Sequence, residues 1–178
     1  MDKQDVRGRV RALGPVDPGQ SLLVVSGLFS WMSGRLPGTA SAFLPLADEV
    51  DLTPLFERLP GWRWVLPRVE EDGNLTFRDR DLPLERHAYG MDQPVDSGQP
   101  IPVREIDVLL VPGIAFDMTG ARLGRGGGFY DRVLEDRRGD AVAIGVSTSD
   151  RVFDRVPALP HDQPVQWLAT EAGVGECG

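Results

Sequence analysis

The run Ile106-Asp107-Val108-Leu109-Leu110-Val111, followed at once by Pro112-Gly113, constrains the fold more than any other stretch of the chain. Apart from Asp107 it is continuously apolar, as expected of a strand whose two faces are both covered in a parallel sheet. A glycine-rich stretch follows, and then a helical pattern from about Phe129 to Arg138. Ala141 to Val146 is a second buried strand. A strand, a loop, a helix and another strand make a parallel crossover, and so place the chain in the α/β class.

The rest of the chain fits that class. Val6, Val10 and Leu13 are spaced as one helix face, so Asp2 to Leu13 reads as a short amphipathic helix that Gly14-Pro15 ends. Asp17-Pro18 opens a second helix, with Leu22, Val25, Phe29 and Met32 as its buried stripe and Gly34 and Pro37 after it. Ala40 to Leu44 and Trp62 to Leu66 read as strands, the latter stopped by Pro67. Thr53-Pro54 opens a short helix between them, and Gly61 stops it. Leu75 to Phe77 is a weaker strand. The polar, proline-rich segment from Asp79 to Val103 reads as a long loop with a short strand near Leu84. Asp150 to Val156 reads as a short helix and Val165 to Ala169 as a final strand. The expected architecture is a three-layer α/β/α sandwich with a mostly parallel central sheet. Residues 1–178 form one domain in this reading, with N-terminal helices at about 2–34 packed on the α/β core.

Composition excludes several function classes. With 41% hydrophobic and 26% charged residues the chain is an ordinary globular one. No apolar run reaches the ~18 residues of a membrane span. Residues from Asp2 onward are too charged for a signal peptide. A net charge of −8, with arginines scattered among acids, disfavours a nucleic-acid groove. The one cysteine, Cys177, suits a reducing cytoplasm. No zinc-ligand cluster surrounds His87 or His161.

The chemistry is concentrated in Pro112 to Arg132. This segment joins the carboxyl end of a buried strand to the amino end of a helix, the edge at which open α/β sheets bind ligands. Gly124, Gly126, Gly127 and Gly128 let the backbone approach a ligand and form an anion-binding nest. The helix behind them adds the positive end of its dipole, and Arg122 and Arg125 add formal charge. That is a polyphosphate cradle; on composition alone a flexible surface loop stands beside it as an alternative. It is neither a Walker loop, lacking Gly-Lys-Ser/Thr, nor a dinucleotide fingerprint, since Phe129 stands where a glycine is needed.

The run Ile106 to Leu134 resembles the signature of the 5-formyltetrahydrofolate cyclo-ligase family. That signature is an Asp before an apolar strand, Pro-Gly, Phe-Asp, and then Gly-x-Arg-Leu-Gly-x-Gly-x-Gly-aromatic-Tyr-Asp. Asp107, Pro112-Gly113, Phe116-Asp117 and Gly120 to Asp131 match it. Three further segments resemble the family in order. Lys3 and Arg7, four residues apart, match its phosphate-reaching pair; by spacing alone they read as a solvated pair. Leu44 to Asp51 matches its folate-contacting segment, and His161-Asp162 its C-terminal His-Asp pair. The chain departs from the pattern at Phe129, where tyrosine is usual, and at Gln93, where Glu-Pro is common.

The resemblance implies an α/β sandwich and an ATP-dependent cyclisation of 5-formyltetrahydrofolate to 5,10-methenyltetrahydrofolate, releasing ADP and phosphate. It implies that Lys3, Arg7, Arg122, Leu123, Gly124, Arg125, Gly126, Gly127, Gly128, Phe129 and Tyr130 hold ATP. Leu44, Glu49 and Phe129 fall at substrate positions, and Asp131 and Asp162 at Mg²⁺ positions. Arg125 and Asp131 carry catalysis in this reading. The partners expected are ATP and a reduced formyl-folate, with no nucleic acid or membrane, in a cytoplasmic monomer or weak homo-oligomer. The alternatives are a related ATP-binding enzyme acting on another formyl or amide substrate, and a non-catalytic nucleotide-binding module.

Overall fold

The computed structural model describes residues 1–159 and 162–178. Helix α1 spans Lys3–Leu13, α2 Pro18–Ser33, α3 Pro54–Arg58 and α4 Phe129–Asp136. The strands are β1 Thr39–Ser41, β2 Arg63–Val69, β3 Leu75–Asp79, β4 Leu84–Arg86, β5 Asp92–Pro94 and β6 Val108–Val111. They continue with β7 Ala115–Asp117, β8 Arg122–Leu123, β9 Val142–Val146, β10 Val152–Phe153, β11 Trp167–Thr170 and β12 Gly173–Glu176.

Among the described residues, the main sheet has seven strands in the order β12-β11-β9-β6-β1-β2-β3. Its interior pairings are parallel, and antiparallel hairpin partners, β12 and β3, close the two edges. Alternation along β6 explains the apolar run. Val108 and Leu110 join the core under α2 and α3, while Leu109 and Val111 join the core under α4. Both faces are therefore buried, and the fold is the three-layer α/β/α sandwich expected.

The order of strands creates a switch point. From β1 the chain crosses through α3 to β2 on one side. From β6, the other neighbour of β1, it crosses through α4 to β9 in the opposite direction. The segments that leave the carboxyl ends of β1 and β6 thus part company, and a crevice opens between them.

Helix α1 packs elsewhere. Its Val6 and Val10 are buried against Ala115, Leu123 and Val156, on a small sheet of β10, β7 and β8. Its start is fixed by a capping box. The Asp2 carboxylate accepts from the Gln4 and Asp5 amides at 2.7 and 2.8 Å, and Asp5 accepts from the Asp2 amide at 3.0 Å. Asp17 caps α2 in the same way, accepting from the Gly19 and Gln20 amides.

Several local expectations are corrected. Leu22 is 58% exposed; the buried stripe of α2 is Val24, Val25, Leu28 and Met32. Pro67 does not stop its strand. β1 pairs only with Arg63 to Val65, so the missing amide of Pro67 points to a side with no partner strand. The segment 79–103 contains the hairpin of β4 and β5. Asp150 to Val156 is not a helix: a single 3₁₀ turn, Ser149–Arg151, runs into β10. The chain also adds β12 after the strand expected to be last.

Candidate active site

A cleft of about 880 Å³ lies at the switch point. One wall is the segment after β1, with Phe43, Leu44, Leu46 and Glu49. The opposite wall is the loop from Arg122 through the first turn of α4. Lys3 and Arg7 of α1 close one end, together with Asp162. Tyr89, Met91 and Asp92 of the β4–β5 hairpin border the other side, with Pro67, Val69 and Leu75.

The loop is shaped by a buried acid. The Asp117 carboxylate accepts from the amides of Thr119 at 2.9 Å, Ala121 at 3.2 Å and Val156 at 2.8 Å. This fixes the turn between β7 and β8 and aims the chain back toward the cleft. The loop then enters α4 through Gly128, whose φ of 62° is left-handed and disfavours any side chain. At Gly127 a Cβ would lie 2.5 Å from the Phe129 ring, so the backbone runs against that ring only because nothing projects there.

The charged groups are already paired. Arg122, with a side chain 5% exposed, donates to Asp131 Oδ1 at 3.0 Å, and the Gln163 amide donates to the same oxygen at 3.2 Å. Asp131 sits in the first turn of α4, where the helix dipole favours an anion. Lys3 Nζ donates to Asp162 Oδ2 at 3.0 Å, as does the Leu159 amide at 2.7 Å. Arg7 Nη2 donates to the Gly124 carbonyl at 3.1 Å, tying α1 to the loop.

Across the crevice, Arg125 Nη2 donates to Asp48 Oδ1 at 2.6 Å and to Glu49 Oε1 at 3.0 Å. Glu49 also accepts from the Leu46 amide at 3.0 Å. Burial pushes the Glu49 carboxyl above its ordinary range, although the Leu46 amide and Arg125 pull it down. The Tyr130 hydroxyl is buried at the cleft and finds no hydrogen-bond partner among the described residues, and burial raises its pKa.

All the residues assigned from sequence to ATP, substrate or metal line this cleft. Pro160 and His161 lie outside the described residues. Gln93, left without a role, is buried. It accepts from the Val69 amide at 3.1 Å and so pins the hairpin to β2. Sequence reasoning missed Asp48, Tyr89 and Asp117. Asp117 had a signal in the Phe116-Asp117 pair, and Asp48 lies inside the matched segment Leu44 to Asp51.

The profile of the 5-formyltetrahydrofolate cyclo-ligase family matches residues 35–171. The chain is a member of that family. It is therefore an enzyme, a ligase of the cyclo-ligase type. Among curated relatives, the 5-formyltetrahydrofolate cyclo-ligase of Mycolicibacterium smegmatis is 36% identical over 158 residues, covering 80% of this chain and 79% of its own. The protein of the same name from Escherichia coli K12 is 30% identical over 182 residues, covering 96% and 99%. The solved structure of Aquifex aeolicus 5,10-methenyltetrahydrofolate synthetase superposes with a TM-score of 0.83 at 34% identity, covering 99% of this chain and 93% of its own. The family match includes the crevice and the glycine-rich loop but begins after α1 and α2, so Lys3 and Arg7 fall outside it.

Proposed function

We propose that this cyclo-ligase uses ATP to close 5-formyltetrahydrofolate to 5,10-methenyltetrahydrofolate, releasing ADP and phosphate. The observation that carries the reading is the facing of two walls across one crevice: a glycine-rich cationic loop on one side and the Glu49 segment on the other. The triphosphate lies along Gly124 to Gly128, where backbone amides, the amino end of α4 and the cations Lys3, Arg7 and Arg125 offset its charge. The folate lies against Leu44, Glu49 and Phe129, with the hairpin residues Tyr89 and Met91 as its outer wall.

The chemistry joins the two halves of the cleft. The formyl oxygen attacks the γ-phosphorus and ADP leaves. The neighbouring N10 then attacks the activated formyl carbon; N10 gives up its proton and phosphate departs from that carbon with the former formyl oxygen, taking the proton, as the ring closes. Activation is needed because an amide oxygen is a poor leaving group. Both nucleophile and electrophile belong to one bound folate, so holding it in place supplies much of the rate. Arg125 is the residue able to follow negative charge as it moves onto the transferred phosphoryl group.

Asp131 and Asp162 are the acids that would hold a Mg²⁺. Asp131 and Asp162 present hard oxygens to the same cleft, and among the described residues no group of three or more metal-ligating side chains forms a cage. Mg²⁺ usually takes one or two carboxylates and completes its shell with phosphates and water. When bound, it offsets charge on the transferred phosphoryl group. Arg122 holds Asp131, and Lys3 holds Asp162, in position to receive it.

The test is direct. Purified protein given 5-formyltetrahydrofolate, Mg²⁺ and ATP should build the methenyl absorbance with one ADP released per product. Omission of ATP should abolish the signal. ATP turnover with some other formyl or amide compound, and none with formylfolate, would replace this reading.

A further inference from the structure

We propose that Asp48 is a positioning residue for Arg125, and that its work begins when formylfolate occupies Glu49. The inference rests on the function proposed above.

The geometry is a three-part bridge across the crevice. A single nitrogen of Arg125, Nη2, lies 2.6 Å from Asp48 Oδ1 and 3.0 Å from Glu49 Oε1, while Nε lies 3.3 Å from the same Glu49 oxygen. The two acids are neighbours on the segment after β1, and Arg125 belongs to the loop after β8, 77 residues away. Their surroundings differ. The Glu49 side chain is 10% exposed and lines the cleft; Asp48 is 33% exposed. The Arg125 side chain is 44% exposed, and its guanidinium is held by these ion pairs.

The Glu49 carboxylate has about four acceptor positions, and three are taken: Oε2 accepts from the Leu46 amide, and Oε1 accepts from both Nε and Nη2 of Arg125. A folate that brings two donors to Glu49 therefore displaces at least one bond to the guanidinium. Asp48 then becomes the side chain that keeps Arg125 over the glycine loop, within reach of a phosphoryl group. Without formylfolate, either acid suffices. With it, Asp48 carries the task.

The experiment measures the Kd of a non-hydrolysable ATP analogue by calorimetry, in the presence of Mg²⁺, with and without saturating 5-formyltetrahydrofolate. The proteins are wild type, Asp48→Asn, Arg125→Ala and the double variant. Asp48→Asn should weaken binding of the analogue less than about twofold without folate and about tenfold with it. Tenfold is the loss of one charge-assisted hydrogen bond converted at about 1.4 kcal/mol per decade. In the Arg125→Ala background the same substitution should change nothing beyond about twofold, because coupled residues are not additive. The proposal is overturned if Asp48→Asn acts equally with and without folate, if it has no effect in either state, or if its effect persists without Arg125. A wild-type protein that makes no methenyl product fails the function above, and these binding ratios remain readable in that case.

Discussion

Lys3 Nζ lies 3.0 Å from Asp162 Oδ2, joining the first turn of the chain's first helix to a segment 159 residues away. The pair closes one end of the cleft and brings two residues assigned to ATP and to Mg²⁺ into contact. Neither is deeply buried: the side chains are 29% and 14% exposed. Lys3→Ala should therefore change stability by no more than about 1 kcal/mol. It should weaken ATP by about tenfold, the size of one charge-assisted contact to phosphate. Thermal melting and calorimetric titration separate the two effects.

Asp131 has a double task, and its removal has a double signature. It neutralises Arg122, whose side chain is 5% exposed, and it lines the same cleft as the glycine-rich loop. Asp131→Ala leaves a buried guanidinium unpaired and should cost about 3 kcal/mol of stability in denaturant unfolding. Turnover should fall by at least about 100-fold, the scale of losing the cation that Asp131 would hold against the transferred charge. The Kd of formylfolate should move less than about threefold, a smaller change than one ordinary hydrogen bond makes. A loss of folate affinity equal to the loss of turnover would assign Asp131 to the substrate instead.

Gly128 tests the loop itself. Its φ of 62° starts α4 from the left-handed region, which costs a side chain about 1–2 kcal/mol. Gly128→Ala should lower stability by that amount and raise the KM for ATP more than the KM for formylfolate. An unchanged denaturation midpoint would show that the loop enters the helix by another path.

How much of this was legible in sequence depends on length and on distance. The apolar run around Leu109 and Leu110 announced a strand covered on both faces, and the glycines after it announced a loop at a strand's carboxyl end. Strands of two or three residues, such as Arg122–Leu123 and Val152–Phe153, are too short to show a period, so the small sheet under α1 was not legible. In α2 four hydrophobic residues stand in a row from Leu22 to Val25, and periodicity cannot choose between the stripe through Leu22 and the one through Val24 and Leu28. Lys3, Arg7 and Glu49 were found through family resemblance, since their spacing alone marks a solvated surface. The Asp48–Arg125 pair spans 77 residues, and no local pattern signals such a contact.

Glu49 should leave a mark on pH dependence. Burial raises its pKa above the ordinary 4.5. The folded protein therefore keeps a proton that the unfolded chain has released, and stability falls as pH rises from about 4.5 through the raised value, then levels off. Glu49→Gln does not titrate. Its melting temperature relative to wild type should rise as pH climbs from about 4.5 through the raised value, and then level off. The acid limb of kcat/KM for formylfolate should flatten in the same variant. A constant difference in melting temperature across that range would mean that Glu49 titrates normally.

The central claim is that one crevice holds the triphosphate against Gly124 to Gly128 and the folate against Glu49. A crystal structure with a non-hydrolysable ATP analogue and 5-formyltetrahydrofolate tests it most directly. The account predicts phosphate oxygens within hydrogen-bond distance of Lys3, Arg7 and Arg125, with the formyl oxygen turned toward the γ-phosphorus. A nucleotide seated elsewhere, for instance in the smaller cavity beside Asp117 and Arg155, would contradict it.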